Sequence, residues 1–534
     1  MNTGHEARVG HAADDNSLAV TIGKNTIFGM ISKVSQVGTR IVTIPIVIAH
    51  LGLGGYGIWA IVMTVAAYMR FGSTGIKAAF QKYVAEATGN GEYERASTLL
   101  STGSAAMLVL SIAGLIPICL FSKELATAVG VPAQFLASAA GAISMLALIM
   151  LFSNAGAAFE AIVMGGHRVD LARKFSTIFT VAEVVAIITV LHEGFGLFAM
   201  ATVMGLSEIG FVTCCFFASR RVVPQIQIRW RHLRRSVLPE LLRYGGSYQL
   251  INVLQVIYHA IVPIALLRAF GAETAGIYAL AVRLQYSVMM LLDAFLVPIL
   301  SSGSKVFSSG SARDIERLLR KSFKVTFALT LLPLGFIAAF GPTIIDVWTG
   351  QVNPSFQIVL WLVCLGGLFA SFSILGQVLY RVSGHALLDT LRQVVRLAIL
   401  FPIALFAAKL GFYGVLTGLA AAELVAMGVM LFGLRNALVG FHAESLLPDA
   451  WKLMLASGIT LSAGVLAARI PLPFIASGHS FETFRLCLIC IACSITLWPA
   501  LTLTKSISGN ESRAFLSIFA PRRLPTPSIS EAVK

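Results

Sequence analysis

Apolar runs of roughly 20 residues recur along this chain, and a run of that length is what one helix needs to cross a bilayer. Fourteen such runs lie near 25–49, 56–79, 97–121, 133–159, 172–191, 195–218, 242–268, 275–300, 318–341, 355–380, 387–408, 411–434, 451–470 and 483–504. No long polar stretch interrupts the series, so the pattern predicts an all-α polytopic membrane protein of about 14 transmembrane helices. The series also repeats itself. Gly166-His167 returns as Gly384-His385, and Asp170 and Arg173 return as Asp389 and Arg392. Pro45 leads into Gly57-Ile58-Trp59-Ala60, as Pro263 leads into Gly276-Ile277-Tyr278-Ala279. Glu94-Arg95 matches Glu316-Arg317, and Gly194-Phe195 matches Gly411-Phe412. A period of about 218 residues on hydrophobic segments marks a duplicated bundle, and parallel repeats of this kind characterise transporters.

These boundaries give an N-terminal cytoplasmic tail (1–24), a first six-helix bundle (25–218), a basic linker (219–241), a second six-helix bundle (242–434), two additional C-terminal helices (435–504) and a C-terminal cytoplasmic tail expected to be disordered (505–534). Six is an even number, so both bundles run the same way. Their repeat axis is expected along the membrane normal, with a central cavity between them. Pro45, Pro263, Pro298, Pro333 and Pro402 fall within spans, where each removes a backbone donor and invites a kink.

Composition agrees: with 57% hydrophobic and 12% charged residues in 534, the chain is too apolar for a soluble domain. The formal net charge of +15 would fit nucleic acid, but its distribution does not. Basic residues gather in alternate loops, above all Arg220, Arg221, Arg229, Arg231, Arg234 and Arg235, while the opposite loops hold little beyond Lys123, Arg268, Lys409 and Arg469. That asymmetry places both termini in the cytoplasm, and the surplus charge belongs to topology and anionic headgroups. No cleavable signal peptide is evident. All seven cysteines lie in apolar runs, and Cys487, Cys490 and Cys493 lack the polar surroundings of a zinc site. Neither a metal nor a cofactor is expected. Gly52, Gly54, Gly55 and Gly57 read as a tight extracytoplasmic turn and lack the Lys-Ser/Thr of a phosphate loop.

Ionisable groups at mid-membrane depth cost roughly 2.5–3.5 kcal/mol each, so they need a reason. On the first span Lys33, Gln36 and Arg40 continue a stripe at three- and four-residue steps. Arg40 falls about 24 Å along that helix at a rise of 1.5 Å per residue. The corresponding seventh span carries Asn252, Gln255 and His259, a second polar cavity face. With Arg70 and Arg283, the set Lys33, Gln36 and Arg40 forms a candidate cationic patch for an anionic headgroup such as a pyrophosphate. Asp293, Glu183, Glu208 and Glu423 are candidates for ion coupling or for structural pairing with arginines. Tyr56 and Trp59 are expected at the interfacial belt. No nucleophile–base arrangement stands out, and the chain reads as a non-enzyme.

Three segments carry a family likeness: Ile44-Pro45 through Gly57-Ile58-Trp59, Gly72-Ser73-Thr74-Gly75-Ile76 leading to Gln81-Lys82-Tyr83-Val84-Ala85, and Glu92-Tyr93-Glu94-Arg95-Ala96. Through them the chain resembles the oligosaccharide and polysaccharide flippase family (O-antigen or exopolysaccharide type) of the multidrug/oligosaccharidyl-lipid/polysaccharide exporter superfamily. Arg70-Phe71-Gly72 stands where many relatives have an Asp-Leu-Gly-like approach. The resemblance implies a flippase in the bacterial cytoplasmic membrane that moves a polyprenyl-pyrophosphate-linked oligosaccharide by alternating access. Its implied partners are the lipid-linked substrate, the bilayer, a coupling proton or cation, and polysaccharide polymerase and export machinery. The alternatives are a drug–cation antiporter on the same fold, or a membrane-embedded polymerase or ligase, for which the external loops are short.

Overall fold

The computed structural model describes residues 35, 38, 39, 41–64, 73–309, 312–383, 385–437, 447–471 and 479–506. Among them there are helices and short connections and no strand. The helices are α1 (Ile41–Thr64), α2 (Ser73–Asn90), α3 (Tyr93–Leu120), α4 (Ser122–Val129), α5 (Ala133–Gly165), α6 (Val169–His192), α7 (Leu197–Val222) and α8 (Leu238–Phe270). They continue with α9 (Ala272–Ser309), α10 (Ala312–Thr349), α11 (Ser355–Val382), α12 (Ala386–Leu405), α13 (Ala407–Ala437), α14 (Leu447–Ala468) and α15 (His479–Leu503). Twelve of the described helices are long and apolar enough to cross a membrane. Their outward residues are apolar: Leu110 and Leu120 of α3, Leu206 of α7 and Ile495 of α15 are all exposed. That is the inverse of a water-soluble surface, and it suits a protein whose solvent is lipid. The protein is a multi-pass membrane protein.

Several helices run past the apolar runs that announce them; α5 ends at Gly165 rather than near 159, and α10 covers Ala312–Thr349 rather than 318–341. A hydropathy scan stops at the first polar residues, whereas backbone bonding continues through them. The short α4, with Ala126 and Val129 buried, has no separate hydrophobic signal because it is only 8 residues long.

The repeat is visible in the backbone. Gly52 (φ +69°) and Gly271 (φ +87°), Gly130 (+96°) and Gly350 (+67°), and Gly194 (+82°) and Gly411 (+75°) all adopt left-handed-side conformations at corresponding turns. Such values favour glycine because a Cβ would clash with the neighbouring carbonyl. Gly52 thus interrupts α1 where the tight turn was expected. His167 also has positive φ (62°), a turn role for a residue whose type suggests chemistry.

The chain divides into two compact units. The first comprises 1–287, 348–366 and 386–426. Within it α5 packs on α2, α3 and α7, and α8 packs on α2 and α12. Small residues let these backbones approach; a Cβ on Gly156 would stand 2.5 Å from Val212 Cγ1. Repeat-related glycines also meet here. A Cβ on Gly57 would stand 2.5 Å from Ala272 O, and one on Gly276 only 2.2 Å from Leu53 O. Tyr56, expected at the interfacial belt, is buried among protein beside this junction.

The second unit comprises 288–347, 367–385 and 427–534. There α14 packs on α15, where Gly464 faces Cys493 and Phe340, and the Cys493 thiol donates to Thr460 O at 3.5 Å. Arg320 of α10 donates to Asp449 of α14 at 2.9 Å, and Tyr380 Oη of α11 donates to Met430 O of α13 at 2.8 Å.

Candidate functional site

The strongest polar feature of the first unit is built on α12. Asp389, Arg392, Gln393 and Arg396 occupy positions i, i+3, i+4 and i+7, which one helical face collects. All four are buried. The opposite face holds Leu387 (85% exposed), Leu391, Val394, Phe401 and Leu405, all exposed. The helix is amphipathic in reverse, with its charges toward protein and its apolar side chains outward. Three charged residues keep α12 outside the twelve helices that are long and apolar enough to cross a membrane, yet none of the three faces outward. Burial permits the charges because each finds a partner.

Arg392 donates twice to Asp389 Oδ1, from Nε at 3.0 Å and from Nη2 at 2.6 Å. Arg396 Nη1 donates to Glu423 Oε1 of α13 at 3.0 Å, and Arg396 Nη2 donates to Gln393 Oε1. The Arg396 guanidinium carbon lies 3.5 Å from the ring centre of Tyr258 on α8, a cation–π contact. Arg396 is 6% exposed and Glu423 1% exposed. Tyr258 and Tyr278 of α9 also lie within electrostatic reach of Glu423. Four helices of the second repeat therefore converge on one neutralised charge pair.

The first repeat lacks this pair. The position matching Arg396 by the Asp170/Asp389 register is Thr177, and the one matching Glu423 by the Gly194/Gly411 register is the exposed Leu206. Asp170 keeps its partners at the helix start instead, taking a bond from Arg168 Nε at 3.1 Å with Lys174 at 3.8 Å. At these matched positions the two halves of the chain differ in their polar residues.

The residues expected at the site fall out as follows. Arg283 lies on α9, half-buried, near the buried Tyr56. Its Nε is buried and has no hydrogen-bond partner among the described residues. Glu423 is ion-paired with Arg396. Glu183 on α6 and Glu208 on α7 are half-buried, and Asp293 on α9 is exposed. Gln255 of α8 is half-buried; His259 is exposed, with its ring 4.9 Å from that of Tyr258 in edge contact. Asn252 belongs to α8, but its side chain lies outside the described residues, as do Lys33, Gln36, Arg40 and Arg70 altogether. Asp389, Arg392, Gln393 and Arg396 were not singled out as a site from the sequence. Their spacing within an apolar run was the available signal.

A cavity of about 390 Å³ lies between α8 and α12, lined by Leu254, Ile257 and Ile261 on one side and Val394, Leu397, Ala398, Phe401 and Pro402 on the other. Its walls carry no charge, so it is no place for an anionic or sugar group. The arginines determine what chemistry the interior can do. Arg392 and Arg396 are neutralised by carboxylates; Arg396 and Arg283 each keep a buried Nε with no described acceptor, and Arg283 has no carboxylate partner among the described residues. That arrangement suits an anion with several oxygen acceptors.

Comparison with known proteins agrees with this architecture. Among curated sequences, the uncharacterised membrane protein EpsK of Bacillus subtilis (strain 168) is 20% identical over 328 residues, 59% of this chain. The match spans 62% of that relative, less than two thirds of its length. Among solved structures, an inward-facing multidrug resistance MATE family transporter of the MOP superfamily superposes with a TM-score of 0.63 at 17% identity, covering 78% of this chain and 98% of that one. The lipid II flippase MurJ in an inward closed conformation gives 0.63 at 14% identity, covering 88% and 97%. A MOP superfamily transporter from Pyrococcus furiosus gives 0.57 at 17% identity, covering 78% and 95%. At these identities the likeness shows a shared fold. The family described as "Polysaccharide biosynthesis protein" matches residues 51–353, more than half of the sequence, and the chain belongs to that family.

Proposed function

We propose that this protein is a flippase that carries a polyprenyl-pyrophosphate-linked oligosaccharide from the inner to the outer leaflet of a bacterial cytoplasmic membrane, with both termini in the cytoplasm. Membership of a polysaccharide biosynthesis family and a fold shared with MOP transporters support a membrane transporter in glycan assembly. The observation that carries the finer reading is the half-buried Arg283, whose Nε has no described acceptor and suits a pyrophosphate oxygen.

The physics calls for such a machine. Burying an unpaired hydroxyl costs roughly 2–7 kcal/mol, so an oligosaccharide does not cross lipid unaided. A polar interior removes most of that barrier while the polyprenyl tail stays in the membrane. In this reading Lys33, Gln36, Arg40 and Arg70 join Arg283 around the headgroup, and Asn252, Gln255 and His259 contact the sugars. Alternating access by the two six-helix repeats moves the site across. Asp293, Glu183 and Glu208 are the candidates for a coupling proton or cation, and polymerase and export machinery take the product. A drug–cation antiporter would need an acidic cavity for its cationic substrates, whereas the polar stripe of Lys33, Gln36 and Arg40 is basic.

The test is flipping by purified protein in liposomes that carry a lipid-linked oligosaccharide, read as access to a membrane-impermeant glycosidase. Wild-type protein should render the lumenal half of the substrate accessible. Arg283→Gln should slow this about tenfold or more, because a lost charge-assisted hydrogen bond is worth about 1.5–3 kcal/mol. Flipping unaffected by Arg283→Gln would remove that residue from the site; no flipping by folded wild-type protein would remove the function.

A further inference from the structure

The connector between the repeats is not a loose loop. From Val223 to Val237 it runs as a strap across the start of α3, containing two short 3-10 turns, Trp230–His232 and Arg235–Val237. Three α3 hydroxyls hold its backbone: Gln227 N donates to Ser97 Oγ at 3.0 Å, Arg229 N to Ser101 Oγ at 3.1 Å, and Arg234 N to Thr102 Oγ1 at 3.0 Å. His232 Nδ1 adds a contact of 3.1 Å with Gln227 O. Val223 and Ile226 are buried in the cluster formed by α2, α3 and α5, and Ile228 and Val237 pack against it. Gly166 admits the start of the strap, since a Cβ there would stand 2.8 Å from Val223 Cγ2.

The other face is wholly different. Arg229, Arg231, Arg234 and Arg235 are exposed, and between them Trp230 is 80% exposed. No acidic residue occurs between Glu208 and Glu240 in the sequence, and among the described residues no carboxylate forms an ion pair with these arginines. The strap follows α7 directly and leads directly into α8, so both its ends are tied to membrane helices. Exposed guanidinium groups on a backbone held to α3, in a connector between two long apolar helices and with a bare indole among them, fit phosphate headgroups. Arginine matches phosphate in geometry, and tryptophan settles at headgroup depth.

We propose that the outer face of this strap is a docking surface for anionic phospholipid in the leaflet it faces, with Trp230 as its interfacial anchor and the four arginines as its phosphate contacts. Because α3 already holds the backbone, little ordering remains to be done on lipid binding. The inference stands whether or not the protein flips a glycan.

The experiment uses the full-length protein in nanodiscs of zwitterionic lipid, titrated with brominated phosphatidylglycerol or brominated phosphatidylcholine. Quenching of Trp230 is read as the difference between wild type and Trp230→Phe. The anionic quencher should act at a several-fold lower mole fraction than the zwitterionic one. That preference should shrink between about 0.05 M and 0.5 M salt, as screening requires. The variant R229Q/R231Q/R234Q/R235Q should lose the preference while keeping helix content and unfolding midpoint. Equal quenching by both lipids, or a preference that survives in the glutamine variant, would each overturn the proposal.

Discussion

Arg396 and Glu423 can be removed one at a time or together, and the difference tells what they are for. Taking away either partner leaves a buried charge uncompensated at a contact of 3.0 Å. Arg396→Ala or Glu423→Ala should therefore lower unfolding stability by about 3–5 kcal/mol, measured by denaturant unfolding in detergent. The double variant Arg396→Met/Glu423→Leu should recover most of that loss, because an apolar pair of similar volume avoids the desolvation cost. If Glu423 were the coupling group instead, Glu423→Gln would abolish transport with little loss of stability. Glu423 was legible in the sequence as an intramembrane carboxylate in need of a partner. Its partner was not, because Arg396 lies 27 residues away and only the folding of α12 against α13 brings the two together.

Among the elements, α12 and the glycine junction show most plainly what a linear pattern conveys. Period and hydropathy placed α12 as a span despite its charges. Which side faces lipid became clear only with the packed structure, where Phe401 is exposed and Arg392 buried. A charge on the outward face should be costly: Phe401→Arg should weaken insertion or stability by about 2.5–3.5 kcal/mol if that position lies at mid-membrane depth. The matched segments around Gly57 and Gly276 were legible as repeats, but their mutual contact was not, because repeats related by a symmetry axis need not touch. Gly57→Ala and Gly276→Ala should each destabilise by about 1–3 kcal/mol through overpacking. Gly276→Ala should be the worse, since its Cβ would meet Leu53 O at 2.2 Å. Comparison of the two variants in the same unfolding assay checks the order. The strap was legible as a basic linker. Its attachment was not, because Ser97, Ser101 and Thr102 look like ordinary helix hydroxyls until Gln227, Arg229 and Arg234 are seen donating to them.

At the scale of the whole molecule, the series of long apolar helices and the apolar exterior mark a multi-pass membrane protein, and the chain belongs to a polysaccharide biosynthesis family. The lipid-linked oligosaccharide as cargo is our proposal, and so is Arg283 as the contact for its anionic headgroup. The most direct test is lipid extraction from cells lacking this gene, with mass spectrometry of polyprenyl-linked sugars and a parallel assay of surface polysaccharide. The account predicts that lipid-linked oligosaccharide accumulates and surface glycan is lost, and that wild-type protein restores both while equally expressed Arg283→Ala does not. Unchanged lipid-linked sugars with intact surface glycan and heightened sensitivity to cationic drugs would contradict it and point to the antiporter.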